Sequence, residues 1–236
     1  MGFLKDTLAV FKKRDLALLE SRKEAEDVYT FLFEKDDDLV WKAGQHGLFT
    51  IAHKKIKNGT RPFTIASSPD ENNVRVTTRI SGNPSDFKKA MLELEKGMAI
   101  RMSGPAGSFH LESNRPSLLI AGGIGITPFR SMLRQLEAEG EKHAQPIHLI
   151  YLDGEKSYIF KGEFDEIADR TSASIVYVDS REEVRTEIDK FAAANGSNGD
   201  YFIAGPTAMV DSLSDYIRSK GISKRSIKKD SFYGYQ

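Results

Sequence analysis

The sequence predicts two domains in series, an antiparallel β-barrel followed by an α/β domain built on a parallel sheet. Three observations predict this. A length of 236 residues suits two small domains rather than one. Upstream of residue 114, apolar residues alternate or cluster in short runs bounded by turn residues. Downstream, β-like runs alternate with helical segments, the pattern of a parallel sheet with right-handed crossovers.

The barrel strands are read at DVYTFLFEK (27–35), HGLFTIA (46–52), RPFTIAS (61–67), NVRVTTRI (73–80) and MAIRM (98–102). In NVRVTTRI, Val74, Val76, Thr78 and Ile80 share one face, as a period of two requires. One helix, begun by Pro84 and Ser85, interrupts the strands at 84–94. The boundary falls at SNRP (113–116). Beyond it, strands are expected at 117–121, 147–152, 174–178 and 200–204. The helix at 128–139 places Phe129, Met132, Leu133 and Leu136 on one face. Thr127 is expected to cap it, with Pro128 at its first position and Gly140 at its end. A second helix at 207–219 repeats the logic with Met209, Val210, Leu213 and Ile217.

Residues 1–19 read as an amphipathic extension. Phe3, Leu4, Leu8 and Phe11 share a helical face beside Lys12, Lys13 and Arg14. That face suits a peripheral membrane or partner contact, but packing on the protein's own barrel is the favoured expectation.

Composition narrows the chemistry. The chain has no cysteine, which excludes disulfides, zinc ribbons, a cysteine nucleophile and an iron–sulfur cluster on its own thiolates. Thirty-four Lys and Arg balance 34 Asp and Glu, so no global basic field exists to hold a nucleic acid. The run SLLIAGGIGITPF (117–129) is too short and too broken to span a bilayer. Lys5 and Asp6 interrupt the N-terminal apolar stretch, which does not read as a secretory signal; the expected location is cytoplasmic. The five histidines show no metal-ligand spacing, so no metal site is expected.

Five segments carry candidate chemistry, each with a plain structural alternative. AGGIGITP (121–128) lies between a strand and a helix, where glycines let the backbone approach a ligand at a helix N-terminus. The same letters suit a tight turn that binds nothing, and proline stands where a dinucleotide fingerprint has its third glycine. In RPFTIASSP (61–69), Arg61 suits a pyrophosphate and Phe63 a flat ring, yet an ordinary strand also fits. SGNPSDF (81–87) is either an anion site or a capped helix. GPAGSF (104–109) reads as consecutive turns, and AGPTAMV (204–210) as a second strand–turn–helix passage at the ligand-favoured edge of the sheet.

In order and spacing these segments resemble the ferredoxin–NADP reductase superfamily of flavoenzymes, from about residue 20 to the C-terminus. Arg61, Phe63, Thr64 and Ser67 match its R-x-[YF]-[ST]-x-x-S flavin motif. Gly82 and Ser85 match its G-x-x-S pyrophosphate turn; Gly104, Pro105, Gly107 and Phe109 match the segment closing the barrel. Gly123, Gly125, Thr127 and Pro128 match its pyridine-nucleotide turn, and Gly205, Pro206 and Met209 its late C-G-P…M element. WKAGQH (41–46) with PFTIASSP is most similar to the soluble reductase half of the ferric reductase and NADPH oxidase branch.

The resemblance implies a flavin-binding barrel over 20–113, an NAD(P)-binding domain over 114–236, and a bound FAD in preference to FMN. It implies that Arg61 holds the flavin phosphate, Phe63 packs on the flavin and Thr64 bonds its N5. The backbone at Thr77, Thr78 and Arg79 would run past the cofactor toward Gly82 and Ser85. Nicotinamide would lie near Thr127 and Gly205. In the tail, Asp230 and Phe232 match the family's acidic-x-aromatic ending; Phe232 or Tyr235 would cover the flavin. Asp230, Phe232 and Thr64 are thus the implied catalytic residues. One departure stands out: Ala204 occupies the place of the family cysteine.

In VDSREE (178–183), Ser180 and Arg181 match the pair that takes the 2′-phosphate of NADPH, although Glu182 and Glu183 follow at once and the string also suits a helix start. NADPH is therefore expected ahead of NADH. The expected partner is a one-electron acceptor, either a protein such as ferredoxin or flavodoxin or a small molecule, served by a monomer. Arg218, Lys220, Lys224, Arg225, Lys228 and Lys229 form a basic stretch suited to an acidic partner, or to plain solvation. Rival readings are a flavin reductase that uses free flavin or ferric chelates, and a non-catalytic flavin- or nucleotide-binding module.

Overall fold

The computed structural model describes residues 12–112, 115–140 and 146–232. The chain divides into two compact units, Met1–His110 and Leu111–Gln236.

The first unit is a six-stranded antiparallel sheet: β1 (Lys13–Ala25), β2 (Val28–Glu34), β3 (His46–Ile51), β4 (Thr60–Thr64), β5 (Asn73–Arg79) and β6 (Ala99–Ala106), with helix α1 (Asp86–Leu92) before β6. Its order is β4-β3-β6-β1-β2-β5. Alternation drives it. Phe31 and Phe33 on β2, Val74 and Val76 on β5, and Ile100 and Met102 on β6 all point into one core with Phe49 and Trp41. Fully burying a side chain such as Phe33 stabilises the unit by about 1.5–3 kcal/mol.

The two end strands meet at a short seam. Ala66 N–H donates to the Arg75 carbonyl at 2.8 Å. Ser67 Oγ donates to the Asn73 carbonyl at 2.7 Å and accepts from Arg75 N–H at 3.0 Å. The Trp41 indole donates to the Ser67 carbonyl at 3.1 Å.

The expected extension over 1–19 is corrected from residue 13 onward, because β1 begins there and pairs with β6 from Lys13↔Ser103 to Ala17↔Ala99. Its alternating Leu16 and Leu18 are buried, which a strand satisfies and a helical face does not. Arg14 is buried beside Asp36 and Asp38. Phe3, Leu4, Leu8 and Phe11 lie outside the described residues.

The second unit is a five-stranded parallel sheet in the order β11-β10-β7-β8-β9. Its elements are β7 (Ser117–Gly122), α2 (Thr127–Glu139), β8 (Ile147–Leu152), α3 (Lys161–Arg170), β9 (Ala173–Val178), α4 (Arg181–Asn195), β10 (Asp200–Pro206), α5 (Thr207–Ser219) and β11 (Ile227–Phe232). Every residue of the central strand β7 is buried, as helices on both faces require. Strand order reverses where β7 lies between β8 and β10, so the crevice beyond their carboxyl ends is the natural ligand position. Among the described residues, no helix is long and apolar enough to cross a membrane.

Candidate functional site

In the barrel unit, β3 and β4 pair with His46 opposite Thr64 and Phe49 opposite Arg61. Arg61 is half-exposed, and its guanidinium donates to the carbonyls of Asn58 and Thr60, both at 2.8 Å. Phe63 is half-buried against the core, 5.5 Å from the Phe87 ring and 6.1 Å from Phe49. Phe63 thus packs partly in the core and leaves part of its surface exposed.

The buried hydroxyls differ in what they do. Ser67 is engaged by the seam. Thr77 Oγ1 shares a 2.7 Å hydrogen bond with Thr30 Oγ1. Thr78 is fully buried on the same strand, and Arg79 pairs with Asp27 at 3.2 Å. Thr64 is only 6% exposed, yet its hydroxyl finds no partner among the described residues. That hydroxyl is not among the buried unsatisfied side-chain atoms of the described residues, so it is open to solvent and free to meet a ligand atom.

His46 escaped the sequence reading, because only strand register brings it beside Thr64. Burial lowers its pKa below the ordinary imidazole value. Gly107 makes the ring's seat. A Cβ there would stand 2.9 Å from His46 Nδ1, and the Gly107 carbonyl is held by Gln45 Nε2 at 2.9 Å. At the expected pyrophosphate turn, Gly82 has a φ of +55° with open space where a Cβ would lie. Ser85 caps α1, accepting from Lys88 N–H at 3.4 Å.

In the second unit, β7 leads through a 3-10 turn, Gly123–Ile126, directly into α2. The expected cap is corrected here. Thr127 is the first helical residue and Ile126 the cap, without a side-chain cap bond, because Thr127 N–H already bonds the Ile124 carbonyl inside the turn. The glycines divide their work. Gly123 has a φ of +51° and faces open space, whereas a Cβ on Gly125 would overlap the Ala204 carbonyl of β10. Gly125 thus packs the sheet, and Gly123 offers the free backbone. Ala204 is fully buried.

At the end of β10, Met209 reaches back over Gly205 and Gly122. The β10–β11 ladder sets Asp230 beside Ala204 and Phe232 beside Pro206. Burial pushes the Asp230 carboxyl up to about 6. Phe232 is half-buried, and Tyr235 lies outside the described residues.

Ser180 does not present a free hydroxyl. It caps α4 in a capping box, its Oγ donating to Glu183 Oε2 at 2.8 Å and accepting from Glu183 N–H at 3.3 Å. The same carboxylate accepts from Asp179 N–H and Ser180 N–H, both at 3.2 Å. An anion already occupies this cluster of donors. Arg181 and Arg185, one turn apart, line a shallow cavity with Leu152, Val184, Met209 and Leu213. Of the basic stretch at 218–229, Arg218, Lys220, Lys228 and Lys229 each lie near a carboxylate, those of Asp215, Asp189, Glu112 and Asp211.

Residues 119–215 match the family described as the oxidoreductase NAD-binding domain. The chain is 29% identical over 185 residues to the toluate 1,2-dioxygenase electron transfer component of Pseudomonas putida, covering 73% of this chain and 54% of that protein. It is 23% identical to the flavohemoprotein of Bacillus subtilis, over 93% of this chain and 59% of the relative. The chain thus spans less than two thirds of these relatives' length. A ferredoxin–NADP+ reductase from Plasmodium falciparum shares the fold with a TM-score of 0.80 at 18% identity, covering 93% of this chain and 96% of that one. A cytochrome P450 reductase of Amycolatopsis does so with a TM-score of 0.76 at 23% identity, covering 93% and 70%.

Proposed function

On the two-domain fold of the ferredoxin–NADP reductase-like enzymes, with an oxidoreductase NAD-binding domain in its second half, we propose that this chain is a flavoprotein reductase. It takes electrons from NAD(P)H and passes them to a separate one-electron acceptor, a small electron-transfer protein or domain. FAD, when bound, supplies the chemistry that joins a two-electron donor to a one-electron acceptor.

The observation that carries this reading is Thr64, a buried residue whose hydroxyl bonds no other described residue, on the strand that also carries Arg61 and Phe63. Thr64 would donate to the cofactor, Phe63 would offer its open edge to a flat ring, and Arg61 would turn from its two carbonyls to a phosphate. Gly82 and Ser85 leave room for that phosphate. In the second unit Gly123 and Thr127 would hold the nicotinamide end of the donor, with Gly205 and Pro206 opposite. Asp230, with a carboxyl near 6, is tuned to give or take a proton near neutrality.

NADPH remains the proposed donor, with Arg181 and Arg185 as its phosphate ligands. NADH is a second reading that one observation favours: the Glu183 carboxylate fills the donor cluster at 179–180, where a 2′-phosphate would meet repulsion. Steady-state kinetics with both nucleotides decides. With NADPH, Arg181→Ala raises its KM at least tenfold more than that of NADH; equal effects on both remove the assignment. If Glu183→Gln improves NADPH use at least tenfold, NADH is the native donor.

The reductase reading itself is tested anaerobically. The purified protein is expected to carry flavin absorbance that bleaches on stoichiometric NADPH or NADH. Bound flavin that neither nucleotide bleaches points to a non-catalytic module. Flavin lost on gel filtration points to a flavin reductase with flavin as substrate.

A further inference from the structure

Met209 is seated where the ends of β7 and β10 come together. A Cβ on Gly122 would overlap its Sδ and lie 2.7 Å from its Cε, and a Cβ on Gly205 would lie 2.8 Å from the same methyl. Two strand ends are therefore glycine where one thioether fills the space between them. Met209 is 8% exposed, and its open side faces the shallow cavity lined by Arg181, Arg185 and Ser212. Among the described residues, the other methionines are placed differently. Met91, Met102 and Met132 are sealed in cores, and Met98 is 36% exposed on the surface.

We propose that Met209 is a redox-sensitive plug of the nucleotide crevice, and that its oxidation to the sulfoxide by a hydroperoxide blocks NAD(P)H binding. This rests on the reading of that crevice as the nucleotide site. The reaction balances without any other reagent: the sulfur lone pair attacks one peroxide oxygen, an S–O bond forms as the O–O bond breaks, the proton of the transferred hydroxyl passes to the departing oxygen, sulfur is oxidised by two electrons, and hydrogen peroxide is reduced to water. A thioether is apolar and bends to fit a gap between glycines; a sulfoxide is larger, chiral and polar. The apolar side chains around the seat offer its new oxygen no donor. The cavity beside Met209 is lined by donor-bearing residues, Arg181, Arg185 and Ser212. Oxidised Met209 therefore swings toward the groups that would hold the nucleotide phosphate, competes for them, and leaves the packing over Gly122 and Gly205 open.

The test uses the full chain carrying Met98→Leu, so that the surface methionine does not consume the oxidant. Hydrogen peroxide is added, sulfoxide at residue 209 is quantified by peptide mass spectrometry, and NADPH and NADH affinities are measured by calorimetry before and after. At least a tenfold weakening that tracks sulfoxide at 209, and reverses with methionine sulfoxide reductases, is expected. In Met98→Leu/Met209→Leu, whatever its starting affinity, the treated-to-untreated ratio stays near one. The proposal is overturned if Met209 stays a thioether, if it oxidises without loss of affinity, or if the double variant loses affinity equally. Untreated protein that binds neither nucleotide removes the site reading, and the plug with it.

Discussion

His46 and Thr64 stand directly opposite one another across the β3–β4 ladder, so imidazole and hydroxyl leave the sheet on the same face. Because burial lowers the His46 pKa, the fold favours its neutral form. The unfolded chain then binds the proton more readily, so barrel stability is full above the ordinary histidine pKa, about 6.5, and declines as pH falls below it. Denaturant titrations between pH 8 and 5 are expected to show that decline, and His46→Gln to remove part of it. An identical slope in the variant would mean that other groups account for the acid sensitivity.

Thr64→Val keeps the side-chain volume and removes the unpartnered hydroxyl. Stability is expected to change by less than about 1 kcal/mol, because no protein hydrogen bond is lost. Reduction by nucleotide, followed by stopped flow, slows by about tenfold or more, and Thr64→Ser restores it. A rate untouched by Thr64→Val would place the cofactor contact elsewhere.

Ser67→Ala is the converse case. It removes both seam hydrogen bonds of the hydroxyl and strands the buried Arg75 N–H and the half-buried Asn73 carbonyl, at a cost of about 1–3 kcal/mol. Trp41, the only tryptophan, donates to the Ser67 carbonyl, so its fluorescence reports the seam directly. Loss of stability with an unchanged rate in the folded protein is expected; a large rate effect at full stability would make Ser67 a cofactor ligand instead.

Asp230→Asn probes the carboxyl raised to about 6. In the wild type the folded state holds this proton more tightly than the unfolded chain, so stability falls as pH rises from about 4 to 6. The asparagine variant lacks that penalty and is expected to be more stable at pH 7 by about 2 kcal/mol, with the advantage gone at pH 4. Chemical denaturation at the two pH values measures it.

Gly123 and Gly125 are expected to respond unequally to alanine. Gly125→Ala drives a methyl into the Ala204 carbonyl and disrupts folding of the second unit. Gly123→Ala meets no atom but adopts a positive φ, costing about 1–2 kcal/mol, and weakens nucleotide binding in a protein that still folds. Circular dichroism separates the two.

The period of the apolar residues made the two kinds of domain legible, and the strands from Val28 to Pro206 lie close to their expected positions, whereas β11 (Ile227–Phe232) was not expected. β1 was hidden because its second half, Ser21 to Ala25, carries charge on both faces, and its first half offers only Leu16 and Leu18 as an alternating pair. Candidate side chains were legible as chemical types, not as neighbours. Thr64, Ser67 and Thr77 look alike in sequence; register and seam geometry decide which hydroxyl is open. Ser180 and Glu183 form an S-x-x-E capping box that the letters already contain, but a phosphate-binding reading masks it. The contact of Met209 with Gly122 spans 87 positions, and no local pattern announces it.

The strand order carries a consequence for how the barrel is made. Its seam joins residues close in sequence, Ala66 and Ser67 with Asn73 and Arg75, while β1 must find β6 from Lys13 to Ser103. Loop closure over so many residues costs more entropy than closing the seam. On a ribosome, β2 to β5 emerge with their core faces bare, and the sheet stays incomplete until β6 follows β1 by some ninety residues. The newborn chain's most vulnerable interval is therefore the wait for β6, and a variant that weakens the β1–β6 ladder would lower the yield of folded protein before it altered anything the finished protein does.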